Sequence, residues 1–158
     1  MKSLLAAAIL FAACAGGPQR REDNLVGVNM SREEILAYGT RRYPAKPADV
    51  YKAAVGALKA IGYDIATESP EKGVILTSRK LVRVVPTFAW GYGAATTTHT
   101  RQFVVRLFAD DKTNEVVVTA LPKVFEGDFD ISEKPVWDLR GERLIWHDLF
   151  TQMNLFLR

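Results

Sequence analysis

Between Tyr63 and Phe125 the chain carries four extended segments with no helical segment among them, and an amphipathic helical pattern stands on either side of this block. That order is the strongest constraint on the fold. Consecutive strands without crossover helices pair antiparallel, and two flanking helices with one apolar stripe each need a single sheet face to cover. The segments are "YDIATES", where Tyr63, Ile65 and Thr67 alternate with Asp64, Ala66 and Glu68; "VILTSRKLVRVV", which reads as one strand over 74–85; "RQFVVRLFAD"; and "EVVVTALPKVF". "PEKG" at 70–73 and "DKTNE" at 111–115 supply turn chemistry. In "RQFVVRLFAD", Phe103, Val105, Leu107 and Ala109 share one face while Arg106 and Phe108 look the other way. Pro122 in the last segment marks an edge or an end, since proline cannot donate to a ladder.

The first flanking helix is "KPADVYKAAVGALKAIGYD". Val50, Ala54, Leu58 and Ile61 recur at helical spacing, Ala53, Ala57 and Ala60 widen that face, Pro47 suits the first turn and Gly62 the exit. The second is "GERLIWHDLFTQMNLFLR", with Ile145, Leu149, Met153 and Phe156 as its stripe, Trp146, Phe150 and Leu157 beside it, and Arg143, His147, Thr151, Asn154 and Arg158 opposite. A short helix capped by Ser31 with Glu34 at capping-box spacing, ending near Gly39, and a short strand over 40–45 precede them. The expectation is an α+β domain over 31–158. It has an antiparallel sheet of about five strands in the order β-α-β-β-β-β-α after the first short helix, and two helices packed on one face. At 158 residues the chain suits one domain with a core that needs neither disulfide nor metal.

Ahead of the domain stands "SLLAAAILFAACAGGPQRR". Lys2 is a short positive region, Leu4 to Phe11 an apolar one, and the run falls short of the roughly 20 residues that cross a bilayer. Phe11-Ala12-Ala13-Cys14 resembles the bacterial lipobox, with Phe11 where Leu is commoner. The resemblance implies cleavage before Cys14, alkylation of its thiol by diacylglycerol and acylation of the new amine. Residues 1–13 are then a signal peptide, and 14–30, from the lipidated cysteine through "GGPQRREDN", a flexible tether. A plain secretory signal is the alternative. Cys14 is the chain's single cysteine, and lipidation removes the oddity of a free thiol in an exported protein. In lipoproteins of cells with two membranes, Ala15 in place of Asp implies transfer to the outer membrane. The expected location is the cell envelope, lipid-anchored at the outer membrane with the domain facing the periplasm.

"VYKAAVGALKAIGYDIATESPEKGVILTSR", with its helix, Gly-aromatic strand entry and acidic-Gly turn, is similar to the BamC-like (NlpB) lipoprotein domains. The resemblance implies a helix-grip arrangement, in which a curved antiparallel sheet holds a long C-terminal helix, and a setting among the outer-membrane protein assembly machinery. The two-domain family member carries a pair of such domains; this chain has one.

Chemistry-bearing patterns are sparse. Lys+Arg 21 against Asp+Glu 18 is a nearly balanced surface, which argues against a nucleic-acid binder. His99 in "TTTHT" and His147 on the polar helix stripe lack a second ligand at metal spacing and read as surface histidines. "DFDISE" departs from a calcium loop, with Glu133 where glycine is needed and Leu139 where the bidentate Glu belongs. "WGYGA" is no dinucleotide fingerprint, and no serine has a nucleophile-elbow context. No cofactor, metal or catalytic residue is expected.

The stretch "PTFAWGYGAATTTHT", 86–100, reads as a long connection between two strands. Phe88, Trp90 and Tyr92 alternate there, beside Gly91 and Gly93. They are candidates for contact with a partner or the lipid interface; alternatively the strands run on and the rings fold over an open end of the core. A second connection, 124–141, is expected to pack partly through Phe129 and Trp137. The chain thus reads as a lipid-anchored, non-enzymatic binding or adaptor domain for other envelope proteins. The alternative is a carrier that holds a small apolar ligand or lipid in a grip-like pocket.

Overall fold

The computed structural model describes residues 32–89, 93–132 and 144–158. The elements run α1 (Arg32–Gly39), β1 (Thr40–Tyr43), α2 (Pro47–Ala60), β2 (Ile65–Ser69), a single 3-10 turn (Pro70–Lys72), β3 (Val74–Thr77), β4 (Lys80–Ala89), β5 (Gly93–Asp110), β6 (Glu115–Glu126), β7 (Phe129–Asp130) and α3 (Leu144–Phe156). The fold is α+β, a seven-stranded antiparallel sheet with three helices.

The sheet is built on one long hairpin. β5 and β6 pair without interruption from His99↔Glu126 to Asp110↔Glu115. The outer side of β5 is shared end to end by two strands: β3 takes Val104 to Arg106, and β4 takes Gly93 to Arg101. β2 closes that side by pairing with β3. The outer side of β6 is shared in the same way, by β1 at Val116 to Thr119 and β7 at Phe125 and Glu126.

This sharing corrects the expectation of about five strands. The segment read as one strand over 74–85 breaks at Ser78 and Arg79: the Ser78 N–H still bonds Asp64 O beside the Ile65↔Thr77 pair, but toward β5 the Phe103 N–H bonds the Thr77 hydroxyl at 2.9 Å instead of a backbone carbonyl. Local alternation could not show the break, because the pattern is apolar on both sides of it. The expected long connection 86–100 is mostly ladder: β4 reaches Ala89 and β5 starts at Gly93, paired as Ala89↔Gly93. Pro122 lies inside β6, in the stretch between the segments paired with β1 and β7, where the outer side has no strand neighbour. The Ala120 carbonyl and the Val124 N–H, two residues to either side, bond outward to Trp146 and Ser132, so the nitrogen of Pro122 points away from β5 and no ladder bond is lost.

One face of the sheet is the core. Phe103, Val105 and Leu107 of β5 and Val116, Val118 and Ala120 of β6 meet Val50, Ala54, Ala57 and Leu58 of α2 and Ile145, Trp146, Leu149, Phe150 and Met153 of α3. Ala53, Ala54 and Ala57 of α2 are buried as expected, but Ala60 is exposed, and the close neighbour of α2 is α3 more than the sheet. The end of α2 is a Schellman motif: Tyr63 N–H donates to Leu58 O, Gly62 N–H donates to Lys59 O, and Gly62 takes φ +80°. Tyr63 then turns inward, edge-on to Phe103 with ring centroids 5.2 Å apart.

Three further expectations are corrected. Phe156 is not part of the buried stripe; α3 ends there, and its ring lies half in solvent above Gly56 of α2. Phe129 is exposed rather than packed, because it sits on the two-residue strand β7 at the margin of the sheet. His99 is not a surface histidine: in β5, between Arg83 of β4 and Glu126 of β6, it is only 5% exposed. The Ser31 cap and Trp137 lie outside the described residues.

Candidate binding groove

α2 presents a second face besides the one in the core. Ala48, Tyr51, Lys52, Val55, Gly56 and Lys59 fall on it at helical spacing and form one wall of a groove of about 970 Å³. The opposite wall is the tip of the β2–β3 hairpin, Glu68 and Pro70 to Gly73, and the floor is the far end of the long hairpin, Leu107, Phe108, Ala109 and Val116.

Two contacts hold the walls at this spacing. The Tyr51 hydroxyl donates to Val74 O at 3.2 Å, tying α2 to the start of β3. Burial raises the Tyr51 phenol above its ordinary range. At the hairpin tip Gly73 takes φ +61° and accepts from Leu107 N–H at 2.7 Å. A Cβ at Gly73 would stand 2.1 Å from Leu107 O, so only glycine lets the tip close onto β5.

The lining is mixed by design of the strand and helix faces. Tyr51, Val55, Leu107 and Phe108 make it apolar, with Phe108 56% exposed on the rim because it points to the sheet face that no helix covers. Lys52 and Lys59 stand along the helix wall, Glu68, Glu71 and Lys72 along the turn wall, all exposed. No ion pair joins Lys52, Lys59 or Lys72 to another described residue.

A smaller cavity of about 300 Å³ lies at the other end of α2, lined by Ile61, Tyr63, Lys80, Arg101, Ile145, His147 and Asp148. Three of its polar groups are engaged: Arg101 Nε donates to the Tyr63 hydroxyl at 2.7 Å, and Lys80 Nζ donates to Ile61 O at 2.7 Å while lying 5.0 Å from the Tyr63 ring centroid.

Of the residues singled out from sequence, Cys14, Trp90 and Tyr92 lie outside the described residues, and so does the side chain of Phe88, whose backbone pairs with Ala94 near the end of β4. His147 is exposed at the smaller cavity. "DFDISE" is held by ordinary surface contacts: Asp128 pairs with Arg79, and Asp130 accepts from Ser132 and lies 3.6 Å from Lys123. Among the described residues no three His, Cys, Asp or Glu side chains cluster as metal ligands. The groove residues escaped sequence reasoning because Tyr51 and Phe108 look like ordinary members of an amphipathic helix and a strand. The usable signal was Phe108, a large apolar residue at an outward position.

No family model matches the chain, and no curated protein matches it. Among solved structures, a DUF4468 family protein from Bacteroides ovatus is similar at 11% identity and a TM-score of 0.40, over 74% of this chain and 83% of that one.

Proposed function

We propose that the protein is a lipid-anchored envelope lipoprotein whose single domain acts by binding other envelope proteins rather than by catalysis. The observation that carries this reading is the Cys14 segment: an apolar run, two small residues, a lone cysteine and then a glycine-, proline- and charge-bearing tether. Three acyl chains on Cys14 would hold the domain at a membrane, since each buried methylene contributes about 0.8 kcal/mol. The tether would then raise the domain's effective concentration toward membrane-bound partners. The resemblance to BamC-like domains supports a helix-grip reading of the sheet and of α2 and α3, and Ala15 supports the outer membrane, with the domain facing the periplasm. Phe88, Trp90 and Tyr92 remain candidate contacts.

The test is membrane partition and mass. The mature protein is expected to carry a diacylglyceryl, N-acylated Cys14, and Cys14→Ala is expected to leave the membrane fraction. An unlipidated mature N-terminus would overturn the anchor. Repeated recovery of the protein alone from mildly solubilised envelopes would overturn the adaptor role.

One observation favours a second reading. A groove of about 970 Å³ lined by Tyr51, Val55, Leu107 and Phe108 has the size and apolar lining of a small-molecule site. A carrier of an apolar ligand would release lipid or another small molecule in native mass spectrometry of the purified protein; a bare protein would count against it.

A further inference from the structure

We infer that the groove is a strand-addition site, in which an extended peptide with alternating apolar side chains and carboxylates pairs with the open edge of β5 at Ala109. This inference rests on the protein-binding reading above and names its site and partner chemistry.

The edge follows from the ladder. The N–H groups of Phe103 and Leu107 both point away from β6, the first to Thr77 Oγ1 at 2.9 Å and the second to Gly73 O at 2.7 Å. Main-chain groups alternate along a strand, so both the N–H and the C=O of Ala109 point to that same side. β3 ends its pairing at Arg106, the Leu107 N–H bond to Gly73 O is the last across, and Pro70 to Lys72 then form a 3-10 turn rather than a strand. Ala109 is exposed and has no strand neighbour on that side among the described residues, while β6 still backs it through Ala109↔Val116. The position continues the line of β3 beyond Gly73, where Ala109 and the turn residues Pro70 to Gly73 line the same groove.

Both the main chain and the walls favour a peptide over an acyl chain. A strand satisfies the Ala109 N–H and C=O, whereas a hydrocarbon would desolvate them without a partner, which costs more than the contact returns. Alternate side chains of an added strand would project toward Tyr51 and Val55 on one face and toward Phe108 on the other. Lys52 and Lys59, two turns apart on the helix wall and without ion pairs among the described residues, match carboxylates where the incoming peptide faces α2, whereas Glu68 and Glu71 on the turn wall disfavour them on its other side.

The test uses a display library of random heptapeptides panned against the full chain in detergent, with enriched peptides labelled by fluorescein for anisotropy. Ala109→Pro removes the outward N–H without touching the β6 ladder. The double variant Lys52→Glu with Lys59→Glu reverses the helix wall at exposed positions, so it reports even if the proline variant folds poorly. Each change is expected to weaken binding about tenfold or more, while Leu81→Ser on the distant hairpin leaves it unchanged. Bound peptide is expected to slow exchange of the Ala109 amide by about tenfold or more. No enriched peptide, affinities unchanged in both groove variants, or oleate filling the groove with the Ala109 amide still exchanging freely would each overturn the inference. Recovery of envelope partners through another surface would then leave the adaptor reading standing, whereas peptide binding without any such partner would leave the site and remove the adaptor.

Discussion

Trp146 Nε1 donates to the carbonyl of Ala120 at 2.8 Å, from the fully buried face of α3 to the unpaired outer side of β6. The bond closes a gap in the sheet. Between its pairing with β1 and with β7, β6 turns a carbonyl outward that no strand satisfies, and the indole does so instead. Gly39 at the end of α1 makes room for the arrangement: a Cβ there would stand 2.8 Å from Ala120 O and 2.9 Å from Trp146 Nε1.

Trp146→Phe is therefore expected to leave a buried carbonyl without a partner, at a cost of about 1–3 kcal/mol before any loss of packing. Gly39→Ala is expected to destabilise through the same contact. Urea unfolding of the two single variants and the double variant checks the coupling. The double variant should lose less than the sum of the singles, because phenylalanine lacks the nitrogen that the new methyl would strike.

Gly73 and Gly127 share a left-handed backbone, φ +61° and +56°, but not an environment. A Cβ at Gly73 meets Leu107 O at 2.1 Å, whereas at Gly127 it meets nothing within 4 Å. Gly127→Ala should cost about 1–2 kcal/mol from backbone conformation alone. Gly73→Ala should cost clearly more and lower the amide protection of Leu107, as read by thermal unfolding and hydrogen exchange.

Burial pushes the Tyr43 phenol up to about 12, against a smaller opposing effect of Arg41, and burial raises Tyr63 in the same direction against Arg101. The fold thus favours the protonated phenols. The unfolded chain begins to release these protons near pH 10 while the folded chain still holds them, so this stabilisation is complete below pH 10 and is lost as pH rises through about 12. For Tyr43 two pH units correspond to about 2.7 kcal/mol at most. Tyr43→Phe is expected to flatten the alkaline fall in stability measured by denaturant titration. At pH 7 it should cost about 1 kcal/mol or less, since the only hydrogen-bond partner described for the hydroxyl is Met153 Sδ at 3.9 Å.

Arg79 lies over the ring of Phe125 at 3.7 Å and within 3.4 Å of Asp128. The two contacts should separate on mutation. Asp128 is fully exposed, so Asp128→Ala should change stability by less than about 0.5 kcal/mol. Arg79→Ala uncovers the ring and should cost about 0.5–1 kcal/mol in urea unfolding.

The periodicities of α2, α3 and β5 were sufficient to place much of the core, because a residue's face in a helix or strand depends only on its immediate spacing. Val50, Ala54, Leu58, Phe103, Val105, Leu107, Leu149 and Met153 were legible in that way, and so was the edge character of Pro122. Phe156 was misplaced because its helical pattern continues past the point where a covering element ends, and Phe129 because a large apolar side chain in a connection was expected to pack. His99 was misplaced because polar neighbours suggested a loop where two flanking strands bury it.

Sequence alone determined the antiparallel α+β class, the helix faces and the turn at Gly73, all of which follow from spacing and backbone stereochemistry within a few residues. Tertiary structure decided that β5 is long enough to be shared by β3 and β4, that Tyr51 ties α2 to Val74, and that Ala109 is left beyond the last strand with an open edge. Those outcomes depend on where one strand stops alongside another, and strand length relative to a distant neighbour is a non-local quantity that no window of sequence contains.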